Sequence, residues 1–333
     1  MPINRRAALA GLAAAAATPT FAHAAHEARR DQRLPEPPAA LLDAQVSPYR
    51  EGFAQVPGGK VWWRSNGVNS KKAPVLLLHG GPAAGCRYMA PYAALGTDRL
   101  VVTWDQLGGG RSDAPDNPAL YTLDRYVQEV DAVRAAMGLE RVAIVGHSWG
   151  GWLGQAYAGA HPDRVSALVL AGASINLADM QRAADRYIDE LPPAQRRAIR
   201  EKRTDSPDYE AGALAYYQAH LCRLKTWPAW FAAEGEKIGQ NKVYILMNGP
   251  SELDFTGTLK DMDLTAYDDR ITAPTLITSG EFDYGDLRCQ QPMLKHIRGS
   301  HGHVYPGLSH MSHVEDPRQV VGYVRRWLDR QRA

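Results

Sequence analysis

The chain has 333 residues, of which 45% are hydrophobic and 22% charged, a composition that is ordinary for a soluble globular protein. Its formal net charge of +2 and its scattered arginines exclude the basic stripe that a nucleic-acid-binding protein needs. Cys86, Cys222 and Cys289 are widely spaced and match neither a disulfide framework nor a metal site. We therefore expect no nucleic-acid partner, no metal and no cofactor.

The N-terminal segment differs in composition from everything after it. Arg5 and Arg6 precede an Ala-rich apolar run at residues 7–17, and the small-x-small sequence Ala-His-Ala follows at residues 22–24. This is the layout of an export signal, and paired arginines are typical of the twin-arginine route. We predict a signal peptide at residues 1–24 and a charged, Pro-rich linker at residues 25–48.

This prediction implies an exported protein, periplasmic or secreted, and a cytoplasmic protein with an Ala-rich tail is the alternative. The apolar run is too short to span a bilayer comfortably, so we expect no stable membrane anchor. The oligomeric state stays open.

From residue 49 onwards, short apolar runs alternate with helical patterns. A hairpin is predicted at residues 52–64, with Pro57-Gly58-Gly59 at its turn. Buried strands are predicted at residues 74–78, 100–104, 142–145, 167–171, 275–278 and 303–305. Apolar residues at helical spacing predict helices at residues 124–137 and 319–328. The alternation predicts an α/β protein with a mostly parallel sheet covered by helices.

The interval from residue 174 to residue 270 breaks this alternation. It carries amphipathic stretches at residues 180–191 and 211–224, and the only signal for a buried strand is a brief run at residues 243–247. We predict a mainly helical cap at residues 174–270, inserted into a core of residues 49–173 and 271–333.

The strongest chemical signal is Gly-His-Ser-Trp-Gly-Gly at residues 146–151, directly after a predicted strand and directly before a helical pattern. A serine at such a strand-to-helix turn exposes its hydroxyl above the sheet, and this arrangement is that of the α/β-hydrolase fold. Glycines are needed around it because side chains would collide with the adjacent strand and helix. Ser148 is therefore the predicted nucleophile.

A serine hydroxyl needs a base that is oriented by a carboxylate, and in this fold the chain order is Ser, acid, His. Asp283 and His310 each follow a predicted strand, so that both emerge at the same edge of the sheet as Ser148. We predict Asp283 as the acid and His310 as the base. The alternatives are Glu281 or Asp286 for the acid and His301, His303 or His313 for the base.

The remaining element of such a site is a pair of backbone amides that bind the oxyanion. His-Gly-Gly-Pro at residues 79–82 follows a predicted strand, where an α/β-hydrolase supplies the second donor. The predicted donors are the amides of Gly81 and Trp149. Asp105, Gln106 and Arg111 are expected to hold a loop below this site.

Together these motifs resemble the proline iminopeptidase family. The resemblance runs from about residue 52 to the C-terminus and rests on the segments 79–82, 104–112, 146–151, 222–228 and 248–261. It implies a prolyl aminopeptidase-type enzyme acting on small peptides or aminoacyl amides, with Ser148, Asp283 and His310 as its triad. It also places at Glu252 a carboxylate that holds the free amino group of the substrate.

The chain departs from the family at two places. Ala83 and Ala84 follow Pro82 where the family often has glycine, and Tyr284 stands where many members have a second acid. We therefore predict release of an N-terminal proline or another small apolar residue. The alternatives are an amino-acid amidase or esterase with the same triad and, from another class, a catalytically silent binding module.

Overall fold

The computed structural model describes residues 50–331, so the predicted signal peptide and linker lie outside the described residues. Within this range, eight strands form one sheet in the order β1-β2-β4-β3-β5-β6-β7-β8. The strands are β1 (Arg50–Val56), β2 (Gly59–Asn66), β3 (Val75–Leu78), β4 (Val101–Trp104), β5 (Val142–His147), β6 (Val165–Ala171), β7 (Thr275–Gly280) and β8 (His301–Tyr305).

The direction of the strands confirms the α/β-hydrolase fold. The hairpin of β1 and β2 is antiparallel and joins β4 antiparallel, whereas the other neighbouring strands pair in parallel. All residues of β5, β6 and β7 are buried, because helices cover both faces of the sheet. The carboxyl ends of β5, β6, β7 and β8 meet at one edge, where binding sites of parallel sheets form.

The helices in chain order are α1 (Leu123–Ala136), α2 (Trp149–Ala160), α3 (Leu177–Asp189), α4 (Pro193–Arg200), α5 (Pro207–Tyr216), α6 (Ala229–Ile238), α7 (Lys242–Met247), α8 (Thr265–Asp268), α9 (Leu287–His296), α10 (Ser312–Glu315) and α11 (Pro317–Leu328). Short 3-10 segments lie at Arg87–Thr97, Pro118–Leu120 and Pro162–Arg164. None of the helices within residues 50–331 has the length and apolar character needed to cross a membrane.

The segment between β6 and β7 contains α3 to α8 and no strand among these described residues. The brief strand-like run at residues 243–247 forms α7. The side chain of Asn241 accepts hydrogen bonds from the amides of Val243 and Tyr244, at 2.8 and 3.2 Å, and so starts a helix there. The limits of the predicted cap, residues 174 and 270, stay a prediction.

The amphipathic stretch predicted at residues 211–224 is not one continuous helix. α5 ends at Tyr216, and a π-helical turn continues from Tyr217 to Leu221. Such turns are rare and frequently occur at functional sites. This turn brings the chain back to the carboxyl edge of the sheet.

Candidate active site

Ser148 lies at the turn between β5 and α2 with φ 56° and ψ −126°, a backbone conformation that residues with a side chain rarely adopt. Its amide donates a hydrogen bond of 2.8 Å to the carbonyl oxygen of Ala171, at the end of β6. The turn is tight: a Cβ on Gly150 would lie 2.0 Å from the carbonyl oxygen of Leu78, and one on Gly146 would lie 2.2 Å from that of Gly150. The glycines of the motif are therefore required by close backbone packing.

His310 and Asp283 meet beside this turn. His310 Nδ1 lies 2.9 Å from Asp283 Oδ1, and each side chain is only 1% exposed. Asp283 Oδ1 also accepts a hydrogen bond of 2.8 Å from the amide of Gly285. Because an ionised carboxylate only accepts hydrogen bonds, Nδ1 carries the proton and Nε2 presents its lone pair. The histidine therefore has the tautomer that a general base needs.

The Nε2 atom of His310 lies 3.0 Å from the hydroxyl of Tyr284. Burial raises the pKa of Tyr284 well above its usual value, and the charge of Glu252 adds to this effect, so the phenol stays protonated. Tyr284 therefore donates to Nε2, the nitrogen that would accept the proton of Ser148.

His147, the variable residue of the Gly-x-Ser motif, connects both sides of the site. Its Nδ1 atom lies 2.9 Å from the Tyr88 hydroxyl, which in turn accepts from the amide of Gly80. Its Nε2 atom donates to the carbonyl oxygen of His310 at 2.9 Å. Burial lowers the pKa of His147 well below its usual value, so the ring is neutral and this tautomer is fixed. The sequence pattern carries no signal for this role.

The predicted oxyanion donors, Gly81 and Trp149, lie on two segments next to Ser148, one at the start of α2 and the other after β3. Trp149 is the first residue of α2, where an N–H group has no intrahelical acceptor. Gly81 has φ +119°, which favours glycine, and it lines the same cavity as Ser148. Gln106 joins the two segments: it donates to the carbonyl oxygen of His79 at 2.9 Å and accepts from the indole of Trp149 at 2.8 Å.

The alternative acids and bases lie elsewhere. Glu281 is exposed and accepts from the amide of Gly307, while Asp286 caps α9 and pairs with Arg186. None of the three alternative histidines has a hydrogen bond to a carboxylate in the described part of the chain. His301 is exposed, His303 stacks on Tyr323, and His313 is buried against Tyr92 with its pKa lowered by burial to about 3.

Glu252 lines the cavity that also contains Ser148 and His310. Tyr217 donates to Glu252 Oε2 at 3.0 Å and Tyr244 donates to Oε1. No Lys or Arg within residues 50–331 forms an ion pair with this carboxylate. Much of the remaining wall is apolar and comes from Trp152, Leu221, Trp227, Phe231, Ile238 and Phe255.

The site as a whole combines a strained serine, a buried His-carboxylate pair and a second carboxylate in an apolar cavity. The first three residues form a set suited to nucleophilic attack on a carbonyl carbon. The second carboxylate provides a place where a cation could be bound beside that carbonyl.

Comparison with known proteins places the chain among relatives of the same architecture. The family model for the alpha/beta hydrolase fold matches residues 73–317. A proline iminopeptidase of Heyndrickxia coagulans is 32% identical over 285 residues, which cover 84% of this chain and 99% of the relative. A proline iminopeptidase of Saccharolobus solfataricus is 31% identical over 287 residues, which cover 84% of this chain and 92% of the relative.

Solved structures give the same result. The crystal structure of a proline iminopeptidase from Mycobacterium smegmatis superimposes with a TM-score of 0.80 at 30% sequence identity, covering 84% of this chain and 98% of that one. The resemblance inferred from the motifs is thereby confirmed. This chain belongs to the proline iminopeptidase family of α/β-hydrolases.

Proposed function

We propose that this protein is a serine aminopeptidase that releases N-terminal proline, or another small apolar residue, from small peptides or aminoacyl amides. The observation that carries the proposal is the placement of Ser148, His310 and the carboxylate of Glu252 around one largely apolar cavity, where Glu252 forms no ion pair within residues 50–331. Membership of the proline iminopeptidase family supports the same activity.

In the proposed reaction, Ser148 attacks the carbonyl carbon of the N-terminal residue while His310 Nε2 takes the hydroxyl proton. Asp283 holds the imidazole and stabilises its charge, and the amides of Gly81 and Trp149 donate to the oxyanion. Collapse of the intermediate breaks the C–N bond, and His310 returns the proton to the leaving amine. Water then attacks the acyl-enzyme through the same base and frees the residue.

Glu252 has the proposed role of binding the substrate's free amino group. A carboxylate has about four acceptor positions, and the hydroxyls of Tyr217 and Tyr244 use two of them. The remaining positions can accept hydrogen bonds from a primary ammonium or from the pyrrolidinium of an N-terminal proline, which needs such a partner once it leaves water. The two phenols fix the orientation of the carboxylate.

Export is a second part of the proposal. The paired arginines Arg5 and Arg6, the apolar run and the Ala-His-Ala site support it, and they lie outside the described residues. The mature protein is expected to begin near Ala25 in an exporting host. N-terminal sequencing of active native protein would contradict export if it found residues 1–24 intact.

The catalytic assignment is tested by labelling with a fluorophosphonate, which reacts with an activated serine. Wild-type protein should be labelled at Ser148, whereas Ser148→Ala should not be, and its turnover should fall by at least about a thousandfold. His310→Ala should lose about as much, because nucleophile and base act as a unit. His301→Ala, a change at an exposed histidine, is the matched control. Labelling that persists in Ser148→Ala would overturn the assignment.

A further inference from the structure

We propose that His220, in the π-helical turn Tyr217–Leu221, is a positioning residue for both the acid and the base. It would act through their main chain and touch no reacting atom. The inference rests on the proposed function, because the groups that it aligns are the proposed triad. It adds to the site a residue from the segment between β6 and β7, which sequence motifs did not indicate.

The backbone of the turn pairs with the loop that carries the base. The carbonyl oxygen of His220 accepts a hydrogen bond of 3.1 Å from the amide of His310, and that of Leu221 accepts one of 2.8 Å from the amide of Met311. Carbonyls at a helix C-terminus have no intrahelical donors, so these two are free to bind another segment. These two hydrogen bonds fix the main chain at His310, the base, and at the residue that follows it.

The side chain of His220 reaches the segment that carries the acid. Its Nδ1 atom lies 2.9 Å from the carbonyl oxygen of Phe282, the residue directly before Asp283. Since a carbonyl oxygen only accepts, Nδ1 carries the proton and donates it. The ring stacks on Tyr187, with centroids 3.8 Å apart and planes 25° apart, which holds the imidazole in this orientation.

His220 therefore forms hydrogen bonds both to the main chain of His310, the base, and to the main chain of the residue directly before Asp283, the acid. These two segments carry Asp283 and His310, and the distance of 2.9 Å between Asp283 Oδ1 and His310 Nδ1 depends on how the segments are placed relative to each other. Small displacements of aligned catalytic groups reduce the rate far more than they reduce substrate binding. Loss of the His220 side-chain bond should accordingly appear in kcat.

Two substitutions separate this bond from the bulk of the side chain. His220→Phe keeps a planar ring that can stack on Tyr187 but removes the donor. His220→Asn is smaller, yet its amide nitrogen lies close to the position of Nδ1 and can still donate to Phe282. Each variant is compared with wild type for kcat and KM on prolyl p-nitroanilide, for turnover of p-nitrophenyl acetate, for the rate of fluorophosphonate labelling and for the melting temperature.

We expect His220→Phe to lower kcat about fivefold to tenfold on both substrates, with KM changed less than about twofold, and to slow labelling by a similar factor. His220→Asn should recover at least half of the wild-type kcat. The proposal is overturned if His220→Phe keeps the wild-type kcat, if its loss lies in KM alone, or if His220→Asn is impaired as much as His220→Phe.

The readouts also separate this proposal from the proposed function. Should the wild type hydrolyse p-nitrophenyl acetate but not the prolyl amide, the aminopeptidase activity fails, while the ester still measures triad alignment. Should it hydrolyse neither, the labelling rate measures the same alignment at Ser148. Equal labelling of wild type and His220→Phe would then overturn the role of His220.

Discussion

The nitrogen of His310 that should accept the serine proton receives a hydrogen bond of 3.0 Å from the hydroxyl of Tyr284. Ser148 must therefore compete with a phenol for its base. Since a neutral hydrogen bond contributes about 0.5–1.5 kcal/mol net, the competition is modest. The competition lowers the reactivity of Ser148 before substrate binds and leaves the mechanism unchanged.

Tyr284→Phe tests this competition. Removing the phenol hydroxyl frees Nε2, so fluorophosphonate labelling of Ser148 should become about twofold to tenfold faster at neutral pH. Tyr216→Phe is the matched control, because the Tyr216 hydroxyl is buried and has no hydrogen-bond partner in the described part of the chain. Slower labelling of Tyr284→Phe would contradict the competition and would make the phenol an aid to the base.

Glu252→Gln tests amine recognition. Breaking a buried ion pair costs on the order of 3–5 kcal/mol, and the lower end is appropriate for a half-buried carboxylate. We expect roughly a hundredfold loss of kcat/KM on prolyl p-nitroanilide and almost none on p-nitrophenyl acetate, which has no amine. Glu236→Gln, an exposed change of the same charge, is the control. Equal losses on both substrates would mean that Glu252 is not the amine anchor.

Single residues were predictable where a motif constrains them. Ser148 stood out because glycines at fixed spacing report a tight strand-to-helix turn, and the chain order pointed to Asp283 and His310. His147 and His220 carried no such signal. Each acts through hydrogen bonds to main-chain atoms that are distant in sequence, and a single sequence does not report such contacts.

Among the elements, β6 ends directly beside the catalytic pair. Gly172 follows that strand with φ +59°, and a Cβ there would lie 2.8 Å from His310 Nδ1 and 3.1 Å from Asp283 Oδ2. Only glycine fits, both because of its backbone conformation and because of the space. The loop after β6 thus forms the floor on which the imidazole and the carboxylate meet.

Gly172→Ala should displace the imidazole from Asp283 and lower kcat roughly a hundredfold on amide and ester substrates alike. Gly299→Ala is the matched control, because it introduces the same backbone strain of a positive φ, +75°, while its Cβ would meet nothing within 4 Å. That control should lose stability only and keep its kcat. If both variants retained full activity, the close approach at Gly172 would have no catalytic importance.

The elements were predicted best where they are buried in the sheet. Apolar runs of three to five residues indicated the parallel strands and β4, and no predicted bound of these strands differs from the structure by more than two residues. At residues 243–247 the sequence left a brief strand signal, because apolar periodicity alone does not separate a short strand from a buried helix. The capping side chain of Asn241 decided this case, and the π-helical turn depends on tertiary contacts.

At the scale of the whole molecule, one buried acid makes stability depend on pH. Asp268, at the end of α8, is fully buried, and its carboxyl oxygens have no hydrogen-bond partner within residues 50–331. Burial raises its pKa to about 8, and the charges of Asp269 and Asp263 add to the shift. The native state therefore holds a proton that the unfolded chain releases near pH 4.

Because the native state binds a proton that the unfolded chain has lost, the contribution of Asp268 to stability should fall as pH rises from about 4 to 8 and be constant above that range. Asp268→Asn cannot ionise, so its melting temperature should exceed that of wild type by about 5 °C at pH 8 and match it near pH 4. Asp116→Asn, at an exposed aspartate whose charge does not act on Asp268, is the control. A difference that does not vary with pH would contradict the buried-acid account.

The fold and the family were accessible from sequence because several specific motifs occur in the correct order along one chain. The sequence did not show which residues of the cavity wall come from the core and which come from the segment between β6 and β7. That division depends on how the segment folds back over the sheet. The predicted export signal, residues 1–24, remains a prediction.

The central claim is that Ser148 releases an N-terminal residue whose amine is free. The most direct measurement compares kcat/KM for prolyl p-nitroanilide and for its N-acetylated form, in wild type and in Ser148→Ala. We expect the wild type to prefer the free amine by roughly a hundredfold or more, and the variant to lose the activity. Equal rates on the two substrates, or retained hydrolysis by Ser148→Ala, would contradict the claim.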